Sequence, residues 1–260
     1  MGASAGDRPV RILAVSDVED PVLYDHFDPA RWASVDLIIS CGDLRAEYLD
    51  YLVSRLNVPL LYVRGNHDRE YAVAPPNGCE NIDGRLVTFR GLRIVGFEGS
   101  RWYGGQGVEY HDWQIRLKIW RLGWRLWLAG GVDLVVAHAP PLFCADPACQ
   151  QGRANGHPHQ CEDAPDRPHR GFAAFRDLIL RFQPRYFLHG HTHLGYGRGK
   201  RIRQVGTTTV IDCYRHYLLE IVPVPANGRY GPRSPRLPAG EPAAMTAPPA
   251  ESPDRSEPSR

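Results

Sequence analysis

Pro184-Arg185-Tyr186-Phe187-Leu188-His189 runs directly into Gly190-His191-Thr192-His193. A short apolar run of strand length ends in a glycine that permits a tight turn, and two histidines leave that turn separated by a single residue. Three upstream junctions have the same form. Residues 12–16 end at Asp17-Val18-Glu19, residues 37–41 at Gly42-Asp43, and residues 60–64 at Gly65-Asn66-His67-Asp68. In open α/β sheets, ligands are held outside the carboxyl ends of strands. One such junction is weak evidence, but four that are rich in Asp, Asn and His point to a metal site.

The elements around these junctions alternate. Residues 10–16 form a compact apolar run of the kind expected for a buried parallel strand. A short helical stretch then passes through Tyr24, Phe27 and Trp32, and residues 35–41 read as the second strand. Residues 47–56 place Tyr48, Leu49, Leu52, Val53 and Leu56 at helical spacing, with Asn57 and Pro59 ending the helix. Residues 60–64 are the third strand. Strand, helix, strand, helix, strand with short connections predicts a right-handed, mainly parallel sheet.

Further along, residues 85–89 and 92–97 flank Arg90-Gly91 and read as a hairpin. A glycine-rich stretch over residues 96–107 carries Arg101, Trp102 and Tyr103 and reads first as a flexible connector. Trp113, Leu117, Trp120, Trp124 and Trp127 recur at intervals of three and four, with Arg116, Lys118, Arg121 and Arg125 read as the opposite face. That pattern suits a membrane-surface helix as well as a packed one; our reading is a helix whose tryptophan face packs on the sheet. Residues 132–138 form another buried strand closing on His138, and residues 171–182 an amphipathic helix with Phe172, Phe175, Leu178, Ile179 and Phe182 on one face. Residues 203–210 and 216–222 are expected as paired strands.

A chain of 260 residues has ample core for one large α/β domain, assigned to residues 9–222 between a flexible N-terminus (1–8) and a tail (223–260). In that tail Pro, Ala, Ser, Gly and charged residues dominate, which predicts disorder. The net charge of +2 is spread over scattered arginines, so nucleic acid is not indicated as a partner. Cys41 and Cys213 lie in apolar runs where a reduced thiol is usual. No signal-peptide core or membrane-spanning stretch is evident, so a cytoplasmic location without a membrane partner is expected. Cys144, Cys149, His157, His159 and Cys161 share a long loop whose spacing matches no familiar zinc knuckle.

Two close divalent cations need several carboxylates, one of them bridging, plus imidazoles and amides. The sequence offers Asp17, Glu19, Asp43, Asn66, His138, His191 and His193. Such a pair can polarise a phosphoryl oxygen, lower the pKa of a shared water and clamp an in-line displacement. His67 follows Asn66 and points beside the cations, where it is a candidate to protonate the departing oxygen. Singly, each residue has a plainer reading: Asp17 and Asp43 as helix caps, Asn66 as a turn residue, His138 as a core histidine. Two imidazoles on one glycine turn are harder to explain without a metal.

Ser16-Asp17, Gly42-Asp43, Gly65-Asn66-His67-Asp68, His138 and Gly190-His191-Thr192-His193 together resemble the calcineurin-like metallophosphoesterase superfamily, in the same order, over residues 10–222. The resemblance implies a four-layer α/β/β/α sandwich, two mixed β-sheets flanked by helices, with a dinuclear centre at the strand ends. By motif position, Asp17, Glu19, Asp43 and His193 are similar to the ligands of one metal. Asp43 as the bridge, Asn66, His138 and His191 are similar to those of the other, and His67 resembles the catalytic histidine. The family's first motif is normally Asp-x-His, where this chain has Glu19; the added negative charge favours Mn or Fe over Zn. Where many relatives carry an Asp to orient the histidine, this chain has Ala46, with Glu47 and Asp68 as possible substitutes.

The expected function is hydrolysis of a phosphate ester on a small molecule or nucleotide, a phosphodiester in preference, with Arg45, Tyr103 and His169 as candidates to reach substrate. The alternatives are a phosphomonoesterase, acting on a nucleotide or phosphoprotein, and a weakly active ligand-binding relative with an altered metal site.

Overall fold

Alternation along the first strand sets the layers. β1 (Val10–Ser16) sends Val10, Ile12 and Ala14 to one side and Leu13 and Val15 to the other, and all five are buried. A strand apolar on both faces belongs to a sheet covered on both sides. The computed structural model describes residues 8–143, 169–192 and 200–223. His193, the Cys/His loop, the first seven residues and the tail beyond Pro223 lie outside the described residues, and the expectations for them with it.

In the first sheet, β1 lies between β2 (Leu37–Ser40) and β13 (Arg215–Ile221), with β3 (Leu60–Tyr62) and β4 (Cys79–Asn81) beyond β2. β1 to β4 are parallel, whereas β13 returns antiparallel to β1, Val10 opposite Ile221. The second sheet has six strands in the order β11 (Ile202–Val205), β12 (Thr208–Asp212), β10 (Tyr186–His189), β9 (Leu134–Ala137), β6 (Leu92–Phe97) and β5 (Leu86–Phe89). β12, β10, β9 and β6 are parallel, and antiparallel hairpins supply both edges. A separate two-stranded ribbon joins β7 (Ser100–Arg101) to β8 (Glu109–Tyr110).

Three apolar clusters follow from this pairing. Ile12, Ala14, Leu37 and Ile39 meet Ile94, Leu134, Val136 and Leu188 between the sheets. On the outer face of the first sheet, Leu13, Val15 and Ile38 pack under α1 (Pro29–Trp32) and α2 (Ala46–Leu56), through Trp32, Tyr48, Leu49 and Leu52. On the outer face of the second, Val95, Val135 and Phe187 pack under α3 (Asp112–Leu128) and α4 (Ala173–Phe182), through Ile115, Leu122, Leu126, Phe175 and Leu178. The layers are therefore helix, sheet, sheet, helix, as expected. α2 ends where the sequence placed its end, with Asn57 in the left-handed region (φ 52°) and its amide returning to the Val53 carbonyl.

Three expectations are corrected. Residues 203–210 are not one strand: the chain turns at Gly206 (φ 60°), making the β11–β12 hairpin. β13 then leaves that sheet and pairs with β1 instead. The tryptophans of α3 do not face the sheet. Ile115, Leu122 and Leu126 are its buried residues, while Trp113, Trp120, Trp124 and Trp127 are 62%, 74%, 59% and 78% exposed. Helical spacing identifies a common face without identifying which face is covered, and here the smaller branched side chains fill the space over the sheet.

Candidate metal centre

Five strand ends from both sheets open on one rim. Asp17 follows β1, Gly42-Asp43 follows β2, Asn66 follows β3, His138 follows β9 and His191 follows β10. Asp17, Asp43 and His191 all hold positive φ (67°, 57° and 68°), a region non-glycine residues seldom enter. Strained backbone of this kind persists where surrounding contacts over-determine it. The contacts are specific. The Asp17 amide donates to the Gly42 carbonyl (3.1 Å), the His191 amide to Asp17 Oδ1 (2.8 Å), and the His67 amide to Asp43 Oδ1 (2.8 Å).

Glycine lets these turns approach. A Cβ on Gly190 would lie 1.9 Å from Ser16 Oγ and 2.6 Å from Asp17 Oδ2, and one on Gly65 would lie 2.0 Å from Asp43 Oδ1. The sequence motif thus reflects backbone packed against the carboxylates.

Asp43, His138 and His191 each offer a ligand atom within 4.8 Å of the others. His138 Nε2 is 2.9 Å from Asn66 Oδ1, 3.1 Å from His191 Nδ1 and 3.3 Å from Asp43 Oδ2. The opposite nitrogen, His138 Nδ1, lies 2.8 Å from the Cys41 carbonyl, which only accepts; this fixes the proton there and aims Nε2 at the pocket. Asp17 Oδ2 and Asp43 Oδ2 are buried and have no hydrogen-bond partner. Two orphaned carboxylate oxygens facing imidazole and amide donors fit a divalent cation of Mn, Fe or Zn type.

The electrostatics agree. Burial disfavours charge on Asp17 and raises its pKa to about 7, against the opposing effects of His138 and the His191 amide. Burial acts the same way on Asp43, but the neighbouring His138 outweighs it and holds the carboxyl well below the usual range. His138 is pulled down by burial and pushed up by Asp43 and Asp17, ending near 9. A ligand imidazole must be neutral, so a cation entering here would have to displace the proton that Asp43 and Asp17 favour on His138.

Glu19 is not brought into this group. Arg45 Nε and Nη2 bind its two oxygens at 2.5 and 2.7 Å. A guanidinium fork matches a carboxylate in the plane, so the pair occupies the arm that the sequence directs at a metal. His67 is 73% exposed at the mouth, its Nε2 3.9 Å from Asp43 Oδ2. Asn66 Nδ2 donates to Tyr103 Oη (3.3 Å), and the His169 ring packs against His191 with centroids 5.0 Å apart. Of the three candidate substrate residues, Tyr103 and His169 meet members of the group, whereas Arg45 is tied to Glu19 outside it.

The glycine-rich connector is organised by Glu109, whose carboxylate accepts from the amides of Tyr103, Gly104, Gly105 and Gly107. Val108 ties the same loop to the Asn66 carbonyl. Two further acids brace the site, of which the sequence reading singled out Asp68 but not Asp212. Asp68 Oδ2 accepts from the amides of Gly65 (2.7 Å) and Asp43 (2.8 Å), so it joins two motif loops. Asp212 accepts from the Thr192 hydroxyl and the Tyr214 amide, bracing the final motif. Asp212 also ends an apolar strand, the signal that exposed the other junctions.

A family model described as calcineurin-like phosphoesterase matches residues 10–195. Metallophosphoesterase domain-containing protein 1 of Homo sapiens is 26% identical over 240 aligned positions, covering 78% of this chain and 65% of that protein. Its counterpart in Mus musculus matches to the same extent. This chain therefore spans somewhat under two thirds of those relatives' length. Among solved structures, TT1561 of Thermus thermophilus superposes with a TM-score of 0.52 at 19% identity, over 80% of this chain and 90% of that one, a likeness of fold. With the strand-end motifs, the layered sheets and the matched span in agreement, the chain belongs to the calcineurin-like phosphoesterase family.

Proposed function

We propose that the chain is a metal-dependent phosphoesterase acting on a phosphodiester of a small molecule or nucleotide. The observation that carries this is the pair of buried carboxylate oxygens, Asp17 Oδ2, which accepts no hydrogen bond, and Asp43 Oδ2, which lies 3.3 Å from His138 Nε2, gathered beside His191 and Asn66. Asp43, Asn66, His138 and His191 would hold one cation; Asp17 and Asp43, with His193 and a released Glu19, would hold the second. When bound, the cations supply Lewis-acid polarisation of a phosphoryl oxygen and a lowered pKa for water.

The chain's own groups do the rest. His67, exposed at the mouth beside Asp43, is placed to give a proton to the departing oxygen. Tyr103 and the Glu109-organised loop orient Asn66, and His169 buttresses the His191 ring. The sequence carries no dense arginine cluster to grip a phosphomonoester dianion, which favours a diester.

The test is metal analysis of protein purified without chelator, followed by parallel assays of an aryl phosphate and a bis-aryl phosphate in Mn. Faster turnover of the diester, lost in Asp43→Asn, is the expected result. Faster turnover of the monoester would make the protein a phosphomonoesterase. The Glu19–Arg45 pair favours a second reading, a ligand-binding relative with one altered metal position; bound metal with no turnover of either ester would select it.

A further inference from the structure

We propose that the outward face of α3 seats the protein on an anionic phospholipid surface. α3 has two apolar faces. One, through Ile115, Leu122 and Leu126, is taken up in the core over the second sheet. The other, half a helical turn away, presents Trp113, Trp120, Trp124, Trp127 and Leu128, all more than half exposed. A surface helix needs one apolar face to fold, and a second one, contiguous and aromatic, marks an interaction surface.

The side chains around that face select its occupant. Arg121 and Arg125 flank the tryptophans on one side and are exposed, and Arg125 stacks over the Trp124 ring. Arg181 of α4 faces Arg121 across an open groove of about 510 Å³, lined also by Trp120, Gly123 and Trp124. The only acid within α3, Asp112, is bound to Arg116, and Lys118 turns inward to Asp83. The face is therefore aromatic and positive with no exposed acid among its members. A second copy would bring this same positive charge against itself. Tryptophan settles at the headgroup level of a bilayer while arginine meets lipid phosphate, and a helix of this length can lie flat in that plane. No described helix is long and apolar enough to cross a membrane, so contact is at the surface.

The proposal is independent of the phosphoesterase reading and is tested without an activity assay. The full chain is sedimented with phosphatidylcholine vesicles, with and without phosphatidylserine. The expected result is binding to the phosphatidylserine vesicles about tenfold or more above neutral ones, weakening as salt rises. Tryptophan emission should shift to the blue and be quenched by brominated acyl chains. The variant Arg121→Glu/Arg125→Glu should lose the preference for phosphatidylserine. Trp120→Ala/Trp124→Ala/Trp127→Ala should lose both binding and quenching while its circular dichroism stays that of the parent, since these side chains are exposed. Absence of phosphatidylserine-dependent binding by the parent chain, or undiminished binding by the tryptophan variant, overturns the proposal. So does a dimer in solution that the tryptophan variant disperses while vesicles are ignored, which would assign the face to a second copy.

Discussion

Arg45 closes both arms of its guanidinium on Glu19, Nε to Oε1 at 2.5 Å and Nη2 to Oε2 at 2.7 Å. Glu19 lies two residues beyond Asp17, in the position from which the resemblance expects a metal ligand, yet its carboxylate is turned to a cation the chain already owns. A guanidinium and a divalent metal compete for the same oxygens. On the proposed two-cation reading, the pair sets how readily the Asp17 side of the centre fills.

Arg45→Ala is accordingly expected to tighten the weaker of the bound cations by about tenfold, the scale on which groups behind a ligand tune affinity. Glu19→His should do so without regard to Arg45, because imidazole has no attraction for the guanidinium. Titration calorimetry with Mn checks both. Unchanged affinity in the two variants would place Glu19 outside the metal chemistry.

Metal uptake should release protons. His138 without a cation has its pKa raised to about 9, and Asp17 to about 7, whereas a ligand imidazole must be neutral and a ligand carboxylate ionised. Affinity should therefore fall as pH drops below about 9, by about tenfold per unit for each proton displaced, and more steeply below about 7 where Asp17 joins. The metal-free fold has the opposite dependence from His138: a folded pKa above the free value contributes stability below pH 6.5 that is lost as pH rises through about 9. Calorimetry in buffers of different ionisation enthalpy counts the protons.

His67→Ala should lower turnover by about 10²–10⁴-fold, the usual worth of a general acid, with metal content unchanged. Its exposure and the 3.9 Å separation from Asp43 Oδ2 keep it beside the donor set. Loss of metal in this variant, seen by elemental analysis, would recast His67 as a ligand.

Asp68→Ala removes the acceptor for the amides of Gly65 and Asp43, both at the floor of the site. Unsatisfied buried amides should lower stability by about 1–3 kcal/mol, read from urea unfolding of the metal-free protein, and loosen metal binding as well.

Gly190→Ala is expected to be worse than its size suggests. The added methyl would meet Ser16 Oγ at 1.9 Å, so the first and last motifs must separate, at about 1–3 kcal/mol. A lower melting temperature together with weakened metal binding is the predicted pair of effects, while Gly104→Ala, which meets nothing within 4 Å, serves as the control.

Much of the site was legible because its residues recur at one kind of place. Asp17, Asp43, Asn66, His138 and His191 each follow a buried strand, and parallel strands bring their carboxyl ends to one rim. The acids that brace that rim were less visible. Asp68 looked like a partner for His67, and only its hydrogen bonds show it joining two amides. The strand at residues 203–210 failed for a local reason: Gly206 within an otherwise β-compatible run turns the chain back on itself.

From the sequence alone came the alternation of strands and helices, the chemistry at the strand ends and the family resemblance, because periodicity and turn residues are properties of neighbours along the chain. Tertiary structure decided which groups meet. The His191 amide reaches Asp17 across 174 positions, Arg45 takes Glu19, and α3 turns its tryptophans outward. Spacing within an element says which side chains share a face, but the partner of that face depends on how distant elements pack, where shape and charge compete for the same contact.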